Sequence, residues 1–295
     1  MIGAERLRLI SETLLREHVV STAALSQRLG VSEMTVRRDL RQLEQMGVCR
    51  RTHGGAVTVH GLSVQDMPYS QREALLVVEK DAIGRAAAAL VQDRETIAID
   101  SGTTTSYMAA ALRNRQSITV ITNSLLVLNQ LSDAPGITVI CTGGTLSAAL
   151  NEEPGGDDPC LVGPLSEASM RRFRPSKAFM ATTGLTIADG LTNSMLAQAE
   201  LKRVMIEVSS EVILLTDHTK FGQVASSVVG PVTLLHKVVT DQGISPQMRH
   251  ALEELGIEVI AVETAAESKL PLTSAEAWAQ EQSPCISVRG HGSRA

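Results

Sequence analysis

Residues Val20 to Gly47 read VSTAALSQRLGVSEMTVRRDLRQLEQMG, and this stretch decides how the front of the chain folds. Two short helical patterns meet at Leu29-Gly30-Val31-Ser32. In the first, Ala23, Ala24 and Leu25 fall where they can face a core, and Gly30 supplies the permissive backbone of a tight turn. Val31 then packs inward. Ser32 is a good N-cap, because its hydroxyl can satisfy an orphan amide of the first turn, and Glu33 complements the positive helix end. The second helix therefore starts at Ser32 or Glu33. Along it Val36, Leu40 and Leu43 recur at helical spacing, which turns Thr35, Arg38 and Arg41 or Gln42 to the opposite face. That face suits a DNA major groove, where side chains near the helix start reach base edges and arginines further along bind phosphate or guanine. From Val48 to Val57 the chain alternates enough for a small hairpin wing, whose Arg50 and Arg51 would grip the DNA backbone.

An amphipathic helical pair with a solvated arginine face would share much of this pattern, and charge separates the two readings. Residues 1–57 hold nine arginines against six acids, about +3, while the whole chain is −5, which leaves about −8 for the remainder. A basic head on an acidic body confines a polyanion site to the head.

At 295 residues the chain has room for a small domain of about 60 residues and a body that buries a full core. Aromatic residues are only 2%, so that core is aliphatic. No apolar run reaches the roughly 18 to 20 residues that cross a bilayer, and the N-terminus lacks a signal-peptide pattern, so a cytoplasmic location is expected. Cys49, Cys141, Cys160 and Cys285 are scattered without a Cys-x-x-Cys pair, as reduced structural thiols would be.

Residues 59–78 have weak periodicity and read as a connection, partly helical at its end. A helix follows over Lys80 to Val91, and then β-branched runs that each stop at a polar or glycine loop: Thr96 to Asp100, Ile118 to Thr122, Ile137 to Cys141, Lys177 to Ala181, Val212 to Leu215, Lys237 to Thr240 and Ile257 to Val262. Helical stretches lie between several of them, at Thr105 to Leu112, Leu125 to Leu131, Leu196 to Val208 and Pro246 to Leu255. Alternation of this kind indicates a mostly parallel sheet covered on both faces, with ligands beyond the carboxyl ends of its strands. The loop Asp100-Ser101-Gly102-Thr103-Thr104-Thr105 passes from strand to helix, so its amides and hydroxyls form an anion cradle at a helix N-terminus. No Gly-Lys-Ser/Thr follows, so it is not a Walker P-loop. Lys220, just past another strand end, can bring an ammonium to the same anion.

Two sets of residues carry a family resemblance. Val31-Ser32, Thr35 to Leu40, Leu43-Glu44, Gly47, Arg51 and His53-Gly54-Gly55-Ala56 resemble the winged helix of the DeoR family of bacterial transcription regulators. The resemblance places Thr35, Arg37 and Arg38 on a recognition helix, and Asp39 beside a neighbouring arginine rather than on DNA. His53 is expected to bond wing backbone or phosphate, since no second metal ligand stands at ligand spacing. Asp100 to Thr104, Thr122-Asn123-Ser124, Gly143-Gly144, Gly184-Leu185, Gly190-Leu191-Thr192, Lys202, Asp217, Thr219 to Gly222 and Thr240-Asp241 are similar to the family's sensor domain. That domain is related in fold to ribose-5-phosphate isomerase, glucosamine-6-phosphate deaminase and coenzyme A transferases, and senses phosphorylated sugars or related intermediates. The resemblance, which spans roughly Glu5 to Val262, puts Asp100, Thr103, Thr104, Asn123, Gly143, Gly144 and Lys220 in an effector pocket, with Asp100 on sugar hydroxyls and Lys220 on the phosphate. Ser101, Gly102 and Thr105 join them through the cradle. One departure is that Thr145-Leu146-Ser147 follows Gly144 where the family often has an arginine, with a Pro/Gly/acid-rich stretch from Asn151 to Pro159 beyond. Arg171, Arg172 and Arg174 can either supply that charge or form a solvated helix end.

The expectation is an α/β protein: a winged helix-turn-helix over residues 1–57, a linker over 58–79, a mostly parallel sensor domain over 80–263 and a disordered tail over 264–295, where Trp278 can pin part of the chain. Its DNA-binding set is Ser32, Thr35, Arg37, Arg38, Arg41, Arg50, Arg51 and His53. The function expected is a transcription regulator, a repressor of carbohydrate genes, that binds operator DNA as a homodimer or homotetramer under control of a phosphorylated metabolite, with no cofactor, metal or membrane partner. The competing reading is an active sugar-phosphate isomerase or deaminase with a DNA-binding appendage, using Asp100, Asp217 and Lys220 as acids and bases. A protein-interaction scaffold explains neither the recognition helix nor the loops.

Overall fold

A computed structural model describes residues 3–17, 19–45, 48–52, 54–58, 69–147 and 158–264. His53, Gly47, most of the acid-rich stretch and the tail with Trp278 and Cys285 lie outside them.

The head holds three helices, α1 (Gly3–Glu17), α2 (Thr22–Leu29) and α3 (Glu33–Gln45), and three strands, β1 (Val19–Ser21), β2 (Cys49–Thr52) and β3 (Gly55–Thr58). The strands form one antiparallel sheet in the order β1-β3-β2, so the wing has a third strand that the hairpin reading lacks. Gly30 ends α2 in the left-handed region at φ 65°, and Ser32 Oγ accepts from the Thr35 amide at 3.2 Å, the N-cap bond expected there. Ile10, Leu14, Leu25, Leu29, Val36, Leu40 and Leu43 share one core. One local expectation is corrected: Ala23 and Ala24 are exposed, because the buried stripe of α2 runs through Thr22, Leu25 and Leu29 and both alanines lie off it.

After α4 (Tyr69–Ala74), the body begins with α5 (Val77–Ala89), three residues earlier than its periodicity predicts. Then follow β4 (Thr96–Ile99), α6 (Thr103–Leu112), β5 (Ile118–Thr122), α7 (Leu125–Leu131), β6 (Ile137–Cys141), β7 (Thr145–Leu146), β8 (Leu161–Val162), α8 (Pro164–Met170), β9 (Lys177–Met180), β10 (Gly184–Thr186) and β11 (Gly190–Asn193). The series closes with α9 (Leu196–Val208), β12 (Glu211–Leu215), β13 (Ser227–Gly230), β14 (Lys237–Asp241), α10 (Pro246–Glu254) and β15 (Glu258–Val262).

Seven strands make one parallel sheet in the order β15-β14-β12-β9-β4-β5-β6. Side chains alternate between its faces. Ala178, Met180, Val212 and Leu214 pack with α8, α9 and α10 on one side, while Phe179, Ile213, Leu215, Ile97 and Ile99 pack with α5, α6 and α7 on the other. The result is a three-layer α/β/α body whose strands are buried on both faces, which is why they read as near-continuous apolar runs. A small antiparallel sheet, β10-β11-β13, lies outside the main one.

Candidate functional site

The strand order fixes where a cavity can open. From β4 the chain winds outward through β5 and β6, and from β9 it winds the other way through β12, β14 and β15. The two series part between β4 and β9, and at such a reversal the connecting loops diverge beyond the carboxyl ends and leave a crevice. A cavity lies there. Ser101, Gly102, Thr103 and Thr104 line it after β4, Ala181, Thr182 and Thr183 after β9, and Thr216, Asp217, Thr219 and Lys220 after β12. Arg72 of α4, Lys80 of α5, Gln198 and Lys202 of α9, Asn193, Ser194 and Asp158 complete the polar lining. Gly102 permits the tight approach of the loops, since a Cβ on it would sit 2.8 Å from that of Ala181.

Four cations and two carboxylates lie in this lining, a third carboxylate, Asp100, lies behind it, and two of the cations are committed to carboxylates. Asp100, buried just behind Ser101, accepts from the Ala181 amide at 3.0 Å and from Lys202 Nζ, which also donates to the Ala181 carbonyl at 3.0 Å. Those bonds tie the ends of β4 and β9 together. Arg72 donates to Asp158 at 2.8 Å. Asp217 caps a 3-10 turn, His218–Lys220, by accepting from the Thr219 amide at 3.0 Å and from its hydroxyl. The turn is held from outside as well, because Asp241 accepts from the His218 amide at 2.8 Å and pairs with its Nδ1 at 2.7 Å, a bond that raises the His218 pKa.

Lys80 and Lys220 are left facing the space. Lys80 Nζ donates to the carbonyls of Leu75, at 2.5 Å, and Arg72, and burial pushes its pKa down to about 7. Lys220 has no side-chain hydrogen bond or ion pair among the described residues, and burial lowers its pKa too. Across the cavity the Ser101 hydroxyl is buried without a hydrogen-bond partner among the described residues, and α6 begins at Gly102 with no side-chain cap, so the first-turn amides of Thr103 and Thr104 have no intrahelical acceptor. A buried and a half-buried cation, a buried hydroxyl and an uncapped helix start make an environment that an anion would satisfy.

The structure thus brings Ser101, Gly102, Thr103, Thr104 and Lys220 together, with Asp100 behind them. Four other expected residues sit outside the lining. Thr105 is fully buried and donates to the Gly102 carbonyl at 3.0 Å, within its own helix start. Asn123 donates to the Leu161 carbonyl at 3.2 Å. Gly143 accepts from Ser166, and a Cβ on Gly144 would meet the Ser166 hydroxyl at 2.3 Å, so this pair packs against the start of α8. Arg171 pairs with Glu167 and Glu207, and Arg174 with backbone carbonyls, so neither supplies charge to the cavity. Arg72, Lys80 and Lys202 do so instead. Among the described residues no group of three or more His, Cys, Asp or Glu side chains is placed to hold a metal ion.

In the head, α3 presents its polar face outward. Val36, Leu40 and Leu43 are buried, whereas Arg37, Arg38, Arg41 and Gln42 are exposed. Asp39 is also buried, held by Arg6 of α1 through two bonds of 2.5 and 3.0 Å. That bidentate pair clamps the recognition helix to α1 and removes Asp39 from the outer face. Arg37 pairs with Glu33 at 3.2 Å and Arg51 with Glu44 at 3.8 Å, so Arg38 and Arg41 are the less encumbered cations.

The family model for the DeoR-like helix-turn-helix domain matches residues 6–61, and that for the DeoR C terminal sensor domain matches residues 76–242. The chain belongs to the DeoR family. It is 35% identical over 263 residues to the uncharacterized HTH-type transcriptional regulator YulB of Bacillus subtilis, covering 89% of this chain and 98% of that one. It is 33% identical to the regulator IolR of the same organism, covering 82% and 92%, and 33% identical to the transcriptional repressor AccR of Agrobacterium fabrum, covering 79% and 88%. Among solved structures, ribose 5-phosphate isomerase A of Methanocaldococcus jannaschii superposes with a TM-score of 0.34 at 14% identity, over 48% of this chain and 53% of that one. So partial a superposition decides nothing about the site.

As a DeoR-family regulator the protein binds DNA through its head, and Arg38→Ala is expected to weaken operator binding about tenfold or more in an anisotropy titration. Affinity should also fall steeply with salt as phosphates shed counterions. The DeoR head meets the sensor domain at α5. Arg8 of α1 reaches Glu79 at 3.3 Å, and the second Glu79 oxygen is buried without a hydrogen-bond partner among the described residues. Glu79 and Lys80 are adjacent on the first turn of α5, one facing the head and the other the cavity. Leu76, the residue before that helix, takes a left-handed conformation at φ 51° and lines the cavity as well.

Proposed function

We propose that this protein is a repressor of carbohydrate genes in the cytoplasm, whose sensor cavity binds a small phosphorylated sugar or related metabolite. The observation that carries this reading is Lys220, a half-buried ammonium without a hydrogen bond or ion pair among the described residues, which lines the same cavity as Ser101 and the uncapped start of α6. A phosphate suits the ammonium and the open amides, and Thr182, Thr183, Asn193 and Gln198, which bond one another and nearby groups, add hydroxyl and amide oxygens that can still accept from a polyol. Two-fold operators pair with two-fold proteins, so the acting species is a homodimer or homotetramer.

Occupancy reaches the head through the corner between α4 and α5. An anion competes for the Lys80 ammonium, which otherwise holds the carbonyls of Arg72 and Leu75, and any shift of that first turn moves Glu79 against Arg8. The ligand biases the head only so far as it favours one arrangement of that corner over another.

The protein acts without turnover. Asp100 is bound by Lys202 and the Ala181 amide, and Asp217 by Thr219, so neither carboxylate is held ready to take a proton from a substrate carbon. In thermal unfolding with ribose 5-phosphate, glucosamine 6-phosphate, fructose and tagatose phosphates and glycerol 3-phosphate, one class is expected to raise the midpoint, since a ligand of the native state stabilises it by mass action. None of these compounds should be converted. Sustained conversion that disappears in Asp100→Asn or Asp217→Asn would establish the enzyme reading instead.

A further inference from the structure

Met34 is the most exposed large hydrophobic side chain among the described residues, with 80% of its surface open. It cannot serve the head's core, because two residues along a helix rotate it about 160° away from the buried Val36. Nor does it serve the helix start, where the positive dipole end favours an acid or a capping group and methionine is neither. Its neighbours already fill those roles. Ser32 caps the Thr35 amide, the Ser32 and Thr35 hydroxyls bond each other at 3.0 Å, and Glu33 pairs with Arg37.

Met34, Arg38 and Arg41 stand at i, i+4 and i+7, so they form one stripe along the outward face of α3. Arg38 and Arg41 suit phosphate or guanine. Met34 occupies the N-terminal end of the stripe, the end whose side chains reach base edges when a recognition helix enters the major groove. Of the groups displayed on base edges there, the C5-methyl of thymine is the apolar one. An unbranched thioether side chain adapts its shape to such a contact. We propose that Met34 is a specificity-determining residue that packs against the C5-methyl group of a thymine in the operator.

The test starts by selecting a preferred duplex from a random-sequence DNA pool with the full-length protein. Each thymine is then replaced singly by deoxyuridine, which removes only the methyl group, and affinities are measured by anisotropy for wild type, Met34→Ala and Met34→Leu. At one thymine in each half-site the wild type should lose about fourfold in affinity, the value of one buried methyl group. Met34→Leu, which keeps the apolar bulk, should retain that loss, and Met34→Ala should bind the dT and dU duplexes equally. No loss at any thymine for the wild type would overturn the proposal, as would an equal loss in Met34→Ala. Should Met34→Ala bind too weakly to titrate, the wild-type and Met34→Leu profiles decide, and a leucine variant that lacks the wild-type penalty counts against the proposal.

Discussion

Lys220→Ala is expected to raise the metabolite concentration that changes operator binding by roughly tenfold to a hundredfold, while operator affinity without metabolite stays unchanged. The magnitude is that of one hydrogen bond to a charged group, about 1.5 to 3 kcal/mol. Thr104→Ala should act in the same direction, and the double variant should lose less than the sum if both groups hold one phosphate. The neighbouring Lys80 gives the effect a pH signature. Its pKa in the folded protein is about 7 against an ordinary 10.5, so raising the pH through 7 strips its proton and metabolite affinity should fall. The sign for stability is opposite. Below about 7 the folded protein carries the full penalty of a buried charge, and between about 7 and 10.5 only the unfolded chain still binds that proton, so this contribution to stability rises with pH. Lys80→Met should flatten both profiles.

The second large effect is expected at the junction with the head. Glu79→Gln keeps the shape of the side chain but removes the charge that faces Arg8, and it relieves a buried carboxylate with an unsatisfied oxygen, so the fold should tolerate it. Thermal unfolding should report metabolite binding at the wild-type concentration, while the metabolite-induced change in operator affinity shrinks severalfold or disappears. A full-sized change in this variant would place the route from cavity to head elsewhere.

The parallel sheet was legible because its strands are runs such as Thr96-Ile97-Ala98-Ile99, bounded by polar loops that mark the carboxyl ends. The antiparallel β10-β11-β13 sheet was not, since its strands are three or four residues long and mix glycine and threonine with the apolar residues. In the cavity, the loop from Ser101 to Thr104 and Lys220 could be read locally, each standing next to a strand end. Arg72, Lys80 and Lys202 come from helices remote in sequence, and their meeting depends on the order of the strands. Two of them did leave a trace. Lys202 lies among the buried residues Gln198, Ala199, Leu201 and Met205 of α9, and Lys80 three residues before the buried Ile83 of α5. A lysine on an apolar stripe is costly unless a partner or a ligand meets it.

The central claim is that a phosphorylated metabolite in the cavity sets the affinity of the head for DNA. Its most direct test is an anisotropy titration of the same sugar phosphates against a preformed complex of the wild-type protein with a duplex from its own upstream region. One class of sugar phosphate should change operator affinity at least fivefold, with a midpoint that moves to higher concentration in Lys220→Ala. A complex that none of these compounds perturbs, or a response whose midpoint is the same in Lys220→Ala, would contradict the account.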